Sequence, residues 1–279
     1  MQRDEFDSFF KPYSKNVDSA DELHFWKLSD RIIYEVIKRH IPLRALTEKE
    51  VVLDAGGGTG RWIAKMAQET SARFILYDLS SDMLAKAREN LSAANIQERV
   101  NLVEGDLSAM DKLQENSVDH IVSIYSPLSF VTDPQKVVNE LYRVIRPGGK
   151  VLLMGHGFYN ALYSKIMNYQ APPEELLSID ETETVKWAPY VPTLSLFSKE
   201  RMEELLVKAG FNPLETYGIP AFAQPGMEDF DQSNKEKSSI SRALENQDFF
   251  DRVLALELSY SNLPTVANRG VNIFSVGEK

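Results

Sequence analysis

The chain of 279 residues contains no cysteine. This absence excludes disulfide bonds, thiolate catalysis and any metal site built on cysteine ligands. Histidine is scarce, with four residues, and no clustered set of Asp, His and Glu in the sequence indicates a required metal. A cytoplasmic location is the expectation for such a chain.

Long apolar runs and an excess of positive charge are also missing. The longest apolar stretches, such as Ile121–Ile124 and Val151–Met154, are far too short to cross a bilayer. The acidic first ten residues contain no apolar segment, so no signal peptide is expected. The formal net charge of −10 disfavours a nucleic acid partner, because neutralising phosphates requires clustered Lys and Arg. We therefore expect a globular protein with no membrane insertion and no nucleic acid partner.

Strand and helix patterns alternate through the middle of the chain. Short apolar segments that begin at residues 51, 73, 100, 117 and 150 predict strands, and the segments between them predict helices. Two further strands are predicted near 213–218 and at 271–278. Such alternation is typical of parallel strands joined by right-handed crossovers. The pattern predicts an α/β fold, with a mostly parallel sheet covered by helices on both faces.

Three segments lie outside this alternation. Residues 1–45 have apolar residues at helical spacing, and 157–195 and 219–270 interrupt the later strands. We predict an N-terminal helical lid segment over 1–45. The main domain is predicted over 46–279, with lid insertions at about 157–195 and 219–270.

A glycine-rich stretch follows the first predicted strand, in "VVLDAGGGTGRW" at 51–62. A phosphate-binding P-loop needs Lys and then Ser or Thr after the last glycine, but Arg61 and Trp62 stand there. The dinucleotide pattern Gly-x-Gly-x-x-Gly fails as well, because the third glycine is missing in either register. What remains is Gly-x-Gly-x-Gly, preceded by an acidic residue.

This pattern resembles the first motif of the class I S-adenosylmethionine-dependent methyltransferases. The "EGDL" segment at 104–107 and the Pro147–Gly149 turn also resemble that family, and the end of the chain is similar to its small-molecule "type 11" branch. The resemblance covers 48–156 well and 196–279 more loosely. It implies a Rossmann-like sheet of seven strands with the last one antiparallel. It also implies S-adenosylmethionine as cofactor, S-adenosylhomocysteine as product, and no metal.

The resemblance also assigns candidate cofactor residues. Asp78 would hold the ribose hydroxyls, Asp106 would lie toward the adenine amino group, and Tyr13 would cover the methionine end. Leu79 and Met83 would pack on the adenine, although Met83 is equally well explained as a core methionine. The remaining candidates are the loop and "EGDL" residues and one residue after the fourth strand: Asp54, Gly56, Gly58, Gly60, Gly105, Leu107 and Tyr125. For Asp54 an alternative is that its carboxylate holds the turn by accepting backbone N–H groups.

The catalytic candidates are His156 and Tyr125. His156 ends the fifth strand, at the edge where open parallel sheets bind substrates, and imidazole has a pKa suited to a general base. The alternative is that His156 ties the following loop to the sheet. Aromatic residues after that strand could line an acceptor pocket or form a small core of the lid.

The function predicted from these features is in-line methyl transfer to an O, N or C atom of a small molecule or short peptide. Two alternatives remain: a non-catalytic S-adenosylmethionine-binding protein and a nicotinamide-dependent oxidoreductase. The oxidoreductase is the weaker alternative, because the third glycine of the dinucleotide pattern is missing. The sequence does not define the acceptor or the oligomeric state.

Overall fold

The computed structural model describes residues 9–11, 23–230 and 236–279. Tyr13 lies outside the described residues. The strands are β1 Val51–Ala55, β2 Arg73–Asp78, β3 Val100–Glu104, β4 Val118–Ser123, β5 Ile145–Gly157, β6 Thr184–Val185, β7 Leu194–Phe197, β8 Asn212–Ile219 and β9 Asn272–Glu278. The main helices, numbered in chain order, are α1 His24–His40, α2 Arg61–Met66, α3 Ser81–Ala93, α4 Pro134–Val144, α5 Phe158–Met167, α6 Pro173–Thr182, α7 Lys199–Ala209, α8 Ser239–Ala243, α9 Gln247–Tyr260 and α10 Pro264–Ala267.

Seven strands form the main sheet in the order β3-β2-β1-β4-β5-β9-β8. Strands β1 to β5 pair in parallel, and β9 is antiparallel to both β5 and β8. The predicted seven-stranded, mostly parallel sheet with an antiparallel last strand is therefore confirmed. The sequence did not predict β6 and β7. Strand β7 pairs with the last two residues of β5, and β6 pairs with β7.

Local sequence explains where the elements begin. All five residues of β1 are buried, as its run of apolar residues requires between two layers of helices. Helix α4 begins where Asp133 accepts a hydrogen bond from the Lys136 N–H at 3.1 Å, with Pro134 in the first turn. These ends fix the loops at the carboxyl edge of the sheet.

Helix α1 belongs to the main core. Phe25, Leu28, Ile32 and Ile33 are fully buried, in the same apolar cluster as β1 and α3. The amphipathic pattern correctly indicated a helix, but the structure packs it against the sheet rather than in a separate lid. The reason is its broad apolar face, which has to be buried against another layer.

The two insertions differ in their packing. The first, 157–195, has a small apolar cluster of its own that includes Ala161, Ile179 and Leu194. The second packs α8 and α9 against α1, and the Ser241 hydroxyl accepts from the Phe25 N–H at 3.2 Å. In the described part of the chain, no helix is both long and apolar enough to span a membrane.

The buried Glu257 carboxylate holds the start of the second insertion. It accepts the backbone N–H groups of Ala221, Phe222 and Ala223 at 2.8, 2.8 and 2.9 Å. A carboxylate that accepts several N–H groups fixes the backbone strongly. Gln224 follows directly, so its position at the carboxyl edge is set by this anchor.

Candidate active site

A cavity of about 1460 Å³ lies at the carboxyl ends of the parallel strands. We call the part lined by 56–62 and by the segments after β2 and β3 the cofactor side. We call the part lined by 156–194 and 224–230 the acceptor side. The lining residues of the acceptor side are His156, Gly157, Asn160, Tyr163, Ser164, Asn168, Tyr169, Trp187, Ala188, Tyr190, Val191, Leu194, Gln224, Pro225, Asp229 and Phe230.

The glycine loop forms one wall of the cofactor side. Gly56, Gly58 and Gly60 have φ values of +76°, +53° and +74°, in the left-handed region that favours glycine. A Cβ at Gly56 would lie 2.5 Å from the Pro127 side chain, so this position has no room for a side chain. At Gly58 the nearest atom would be the Met83 sulfur at 3.9 Å. The bare face of Gly58 therefore opens into the cavity.

Asp78 joins the second strand to the glycine loop. Its Oδ2 accepts from the Gly58 N–H at 2.9 Å, and its Oδ1 accepts from the Ser80 N–H at 2.8 Å. Burial raises the pKa of this carboxyl, and the backbone hydrogen bonds oppose that shift. The carboxylate lines the cavity and keeps further acceptor sites for a ligand hydroxyl.

The other predicted adenine-side residues also lie together. Leu79, Met83, Gly105, Asp106 and Leu107 all line the cavity. Met83 is 4% exposed and is therefore a packed side chain that also forms part of the wall, and its contact with the adenine stays a prediction. The sequence analysis missed Gly57, Glu104 and Lys112, which line the same side. Their proximity to the motifs was the only available signal.

Asp54 lies behind the loop and not on the cavity wall. A Cβ at Gly57 would be 2.7 Å from the Asp54 carboxyl carbon. Both carboxyl oxygens are buried without a hydrogen-bond partner, so the alternative in which they accept backbone N–H groups of the turn is wrong. Burial, and then the nearby Asp78, raise the pKa of Asp54 to about 8. A direct cofactor contact by Asp54 is not supported by this geometry.

The buried Asp54 should make the free protein less stable as the pH rises. Its folded pKa of about 8 lies above the value of an unfolded chain, so its stabilising contribution is complete below about pH 4 and is lost as the pH rises through 8. The loss is about 3–5 kcal/mol in the free energy of unfolding. Urea unfolding of wild type and Asp54→Asn at pH 5 and pH 8.5 measures it, with the exposed Asp82→Asn as control. Equal pH dependence in all three proteins would contradict this account.

Tyr125 faces α1 with its hydroxyl and the cavity with its ring. The hydroxyl donates to Asp30 Oδ1 at 2.5 Å, and the same carboxylate accepts from Arg61 at 2.8 Å and Lys65 at 3.0 Å. Burial and the Asp30 charge raise the pKa of Tyr125 well above its ordinary value. This tyrosine is therefore unsuited to accept a proton, and the geometry favours a wall role over the predicted catalytic one. Arg61, which also lines the cavity, is held by Asp30.

His156 borders the cavity at the end of β5. Its ring hydrogen-bonds Asn272, the residue opposite it on β9, and Asn272 Oδ1 accepts from the Ser126 hydroxyl at 3.0 Å. Burial lowers the pKa of His156 to about 4, so the imidazole is neutral at neutral pH. The backbone N–H of His156 also donates to the Ser129 hydroxyl at 2.9 Å. Both predicted roles, proton acceptor and loop anchor, fit this geometry.

The other histidines lie away from the cavity. His40 hydrogen-bonds the Tyr217 hydroxyl at 2.9 Å, and His120 Nδ1 accepts from the Lys150 N–H at 3.2 Å. Neither these two nor His24 lines the cavity. Among the described residues, no group of three or more His, Asp and Glu could hold a metal ion.

Aromatic side chains dominate the acceptor side. The first insertion contains six aromatic residues, and four of them line the acceptor side: Tyr163, Tyr169, Trp187 and Tyr190. The other two are Phe158, which packs on the small core of the first insertion, and Tyr159, which is half-exposed. Trp26 of α1 and Phe230 add to the wall, 5.6 Å apart between ring centroids. The sequence could not place these two because they come from distant segments.

Comparison with known proteins identifies the fold family. Residues 52–149 match the model of a methyltransferase domain. The segment 52–149 belongs to the class I S-adenosylmethionine-dependent methyltransferases. The matched segment contains the glycine loop, Asp78, Asp106 and Tyr125, so the family resemblance found in the sequence is confirmed.

Individual relatives support this assignment. The tRNA 5-carboxymethoxyuridine methyltransferase of Escherichia coli K12 is 31% identical over 166 residues, covering 58% of either chain. The ubiquinone/menaquinone biosynthesis C-methyltransferase of Pasteurella multocida is 26% identical, covering 68% of this chain and 72% of its own. A chain from the complex of the Haloferax volcanii Trm112 methyltransferase activator with a methyltransferase shares the fold, with a TM-score of 0.57 over 96% of both chains at 16% identity. Because the chain spans only 58% of the E. coli relative's length, that protein's acceptor is not assigned to it.

Removing the Asp78 carboxylate should weaken cofactor binding in this methyltransferase. Asp78→Ala loses an ionic acceptor at the cavity wall and the hydrogen bond that fixes the Gly58 N–H. Because a hydrogen bond to a charged group contributes roughly 1.5–3 kcal/mol, the affinity for S-adenosylhomocysteine should fall at least tenfold. Calorimetric titration measures this, with the exposed Asp82→Ala as control. A change of less than twofold would remove Asp78 from the cofactor site.

Proposed function

We propose that this methyltransferase transfers a methyl group from S-adenosylmethionine to a small-molecule acceptor by in-line displacement. One observation carries the proposal: a single cavity joins the glycine loop and Asp78 to an acceptor side that is rich in aromatic residues, mostly uncharged, and ends at His156. A cavity of about 1460 Å³ has room for a cofactor and a second small molecule.

The cofactor side fits S-adenosylmethionine. Gly58 leaves an open cradle that a side chain would fill, and the buried Asp78 carboxylate presents acceptor oxygens beside it. The residues that would hold the cofactor are therefore Gly56, Gly58, Asp78, Met83 and Asp106. When bound, S-adenosylmethionine supplies a methyl group already activated by a sulfonium centre.

The protein's own contribution is alignment, desolvation and, where the acceptor carries a proton, its removal. The aromatic side chains would displace water from the part of the acceptor that they contact, which strengthens the electrostatic interactions there. His156 is neutral at neutral pH and therefore offers a lone pair to an acceptor O–H or N–H. The hydrogen bond to Asn272 would fix its tautomer and orientation.

The proposal also covers the domain organisation. The insertions at about 157–195 and 219–270 would act as the cover of the cavity, because Trp187 and Phe230 come from them. Residues 1–45 would add Trp26 to this cover from the core helix α1. We also propose a cytoplasmic location, because the sequence contains no cysteine and so cannot form the disulfide bonds that are common in secreted proteins.

Calorimetric binding and turnover distinguish the proposal from its alternatives. S-adenosylmethionine should bind with one site per chain, and NADH should not compete. Incubation with methyl-labelled S-adenosylmethionine and a panel of small molecules should then release S-adenosylhomocysteine in amounts equal to the labelled product. Binding without turnover over a broad panel would favour a non-catalytic binding protein. Tight binding of NADH alone would favour the oxidoreductase.

An RNA acceptor is the second candidate, because one relative is named as a tRNA methyltransferase. The net charge of −10 opposes it, since RNA binding draws its affinity largely from phosphate contacts. Label transfer to total tRNA, compared with transfer to the small-molecule panel at two salt concentrations, decides between the two. Labelled tRNA with no labelled small molecule would overturn the proposed acceptor class and leave the cofactor assignment intact.

A further inference from the structure

A buried cation lies behind the aromatic wall of the acceptor side. Tyr169 and Trp187 line the cavity, with ring centroids 5.7 Å apart and planes inclined by 44°. The Lys165 ammonium lies 4.8 Å from the Tyr169 centroid and 5.4 Å from that of Trp187. Lys165 is 3% exposed and does not line the cavity, so its charge reaches the rings from inside the protein.

The position of this ammonium is fixed by the fold. Lys165 Nζ pairs with Glu175 Oε1 at 2.5 Å and donates to the Lys186 carbonyl at 2.8 Å. These partners come from α6 and from the loop after β6, so three segments of the first insertion meet at the ammonium. A buried lysine is rare and requires such pairing. The Lys165 ammonium is therefore held in one position behind the Tyr169 and Trp187 rings.

A cation on one side of an aromatic ring changes what the ring can bind on the other side. The ring quadrupole attracts a cation to its face, and Lys165 already uses this attraction for Tyr169 and Trp187. A second cation on the same rings would gain less from this attraction, because the rings already interact with the first. A stacked, electron-rich aromatic ring is instead favoured there, because the lysine draws electron density from the wall.

The remaining groups of the acceptor side are nearly all uncharged. Of the described residues that line it, Asp229 and His156 alone have titratable acidic or imidazole side chains, and the Asp229 carboxylate accepts from the Ser241 hydroxyl and the Gly226 N–H. No Lys or Arg is among those residues to pair with a phosphate or carboxylate, and the basic residues that line the cavity, Arg61, Lys112 and Lys136, come from other segments. Polar contacts come from amides, with Asn160 Nδ2 donating to Gln224 Oε1 at 2.5 Å.

We propose that the acceptor side binds an uncharged, electron-rich, planar aromatic compound on Tyr169 and Trp187, and that Lys165 sets this preference. The inference rests on the proposed function, because it takes this part of the cavity as the acceptor site. Lys165 acts here as a specificity-determining residue that works through the two rings.

Three naphthalene probes of matched shape test the preference. They are 2-naphthol, which is uncharged, 2-naphthyl phosphate and (2-naphthyl)trimethylammonium. Each is titrated calorimetrically into the full chain saturated with S-adenosylhomocysteine, whose own binding is measured first. We expect 2-naphthol to bind at least tenfold more tightly than either charged probe. Trp187→Leu should weaken 2-naphthol binding at least fivefold, which locates the probe on the wall.

Lys165→Met keeps most of the side-chain length and removes the charge. It should reduce the preference for 2-naphthol over the cationic probe at least fivefold, because the two rings no longer interact with the lysine cation and can bind another. Lys165→Met leaves the Glu175 carboxylate without its partner. The double variant Lys165→Met with Glu175→Gln removes this charge as well, and it replaces the single variant in the test if the single variant does not fold. Lys186→Met is the matched control, since its side chain is exposed and does not line the cavity.

The possible outcomes test the inferred acceptor class and the proposed function separately. If S-adenosylhomocysteine binds but the cationic or anionic probe equals 2-naphthol, the inferred acceptor class is overturned and the proposed function stands. An unchanged preference in both lysine variants overturns the role of Lys165. If S-adenosylhomocysteine does not bind to the wild-type protein, the proposed function itself fails, and this inference with it.

Discussion

Gly58→Val should abolish cofactor binding while the protein remains folded. The Cβ position at Gly58 faces open cavity, with the Met83 sulfur as nearest atom at 3.9 Å, so the new side chain occupies space that the cofactor needs. The left-handed φ of +53° adds backbone strain of roughly 1–2 kcal/mol, which a globular domain tolerates. Calorimetric titration with S-adenosylhomocysteine should show at least a hundredfold loss of affinity.

Gly148→Val provides a matched control for the backbone strain. Gly148 has φ +80°, and a Cβ there would meet no atom within 4 Å, but the residue does not line the cavity. Both variants should lose similar stability in thermal unfolding, and only Gly58→Val should lose the cofactor. Equal cofactor affinity in the two variants would show that the glycine loop serves another purpose.

His156→Ala should lower the methyl-transfer rate by about 10²–10⁴ if the acceptor must lose a proton, because this is the usual contribution of a general base. Cofactor affinity should change less than twofold, since His156 lies on the acceptor side. Rates at saturating cofactor and calorimetric affinities are measured together. His120→Ala is the control, because His120 lies on the neighbouring strand β4 and does not line the cavity.

The pH dependence gives an independent test of His156. Its pKa of about 4 means that protonation removes the lone pair only in acid, so the rate should be constant above about pH 5. An ordinary histidine would instead give a fall below about pH 6.5. An unaltered rate in His156→Ala would leave this residue with its structural role, and catalysis would rest on alignment.

The sheet and the cofactor side could be predicted because their signals are local. The apolar run of β1, the glycines after it and the acid that ends β2 are each read within a few residues, and parallel topology brings them to one edge. The same locality placed Leu79, Met83 and Asp106 on the cavity wall. Asp54 was misjudged because β1 is buried on both faces, and the sequence does not show which way its last residues point.

The acceptor side could not be predicted, because it depends on contacts between distant segments. Lys165 looks like an ordinary helical lysine until α6 and the loop after β6 bring Glu175 and the Lys186 carbonyl to it. Helix α1 similarly appeared as a cover until packing placed Phe25 and Ile32 in the core. Contacts between distant segments produce no pattern of regular spacing in the sequence, so they could not be predicted from it.

A crystal structure of the full chain with S-adenosylhomocysteine bound tests the central claim most directly. The account predicts the amino-acid end against Gly56 and Gly58, the ribose at Asp78, and the sulfur facing the aromatic acceptor side near His156. A ligand bound outside this cavity, or one whose sulfur faces away from the acceptor side, would contradict it.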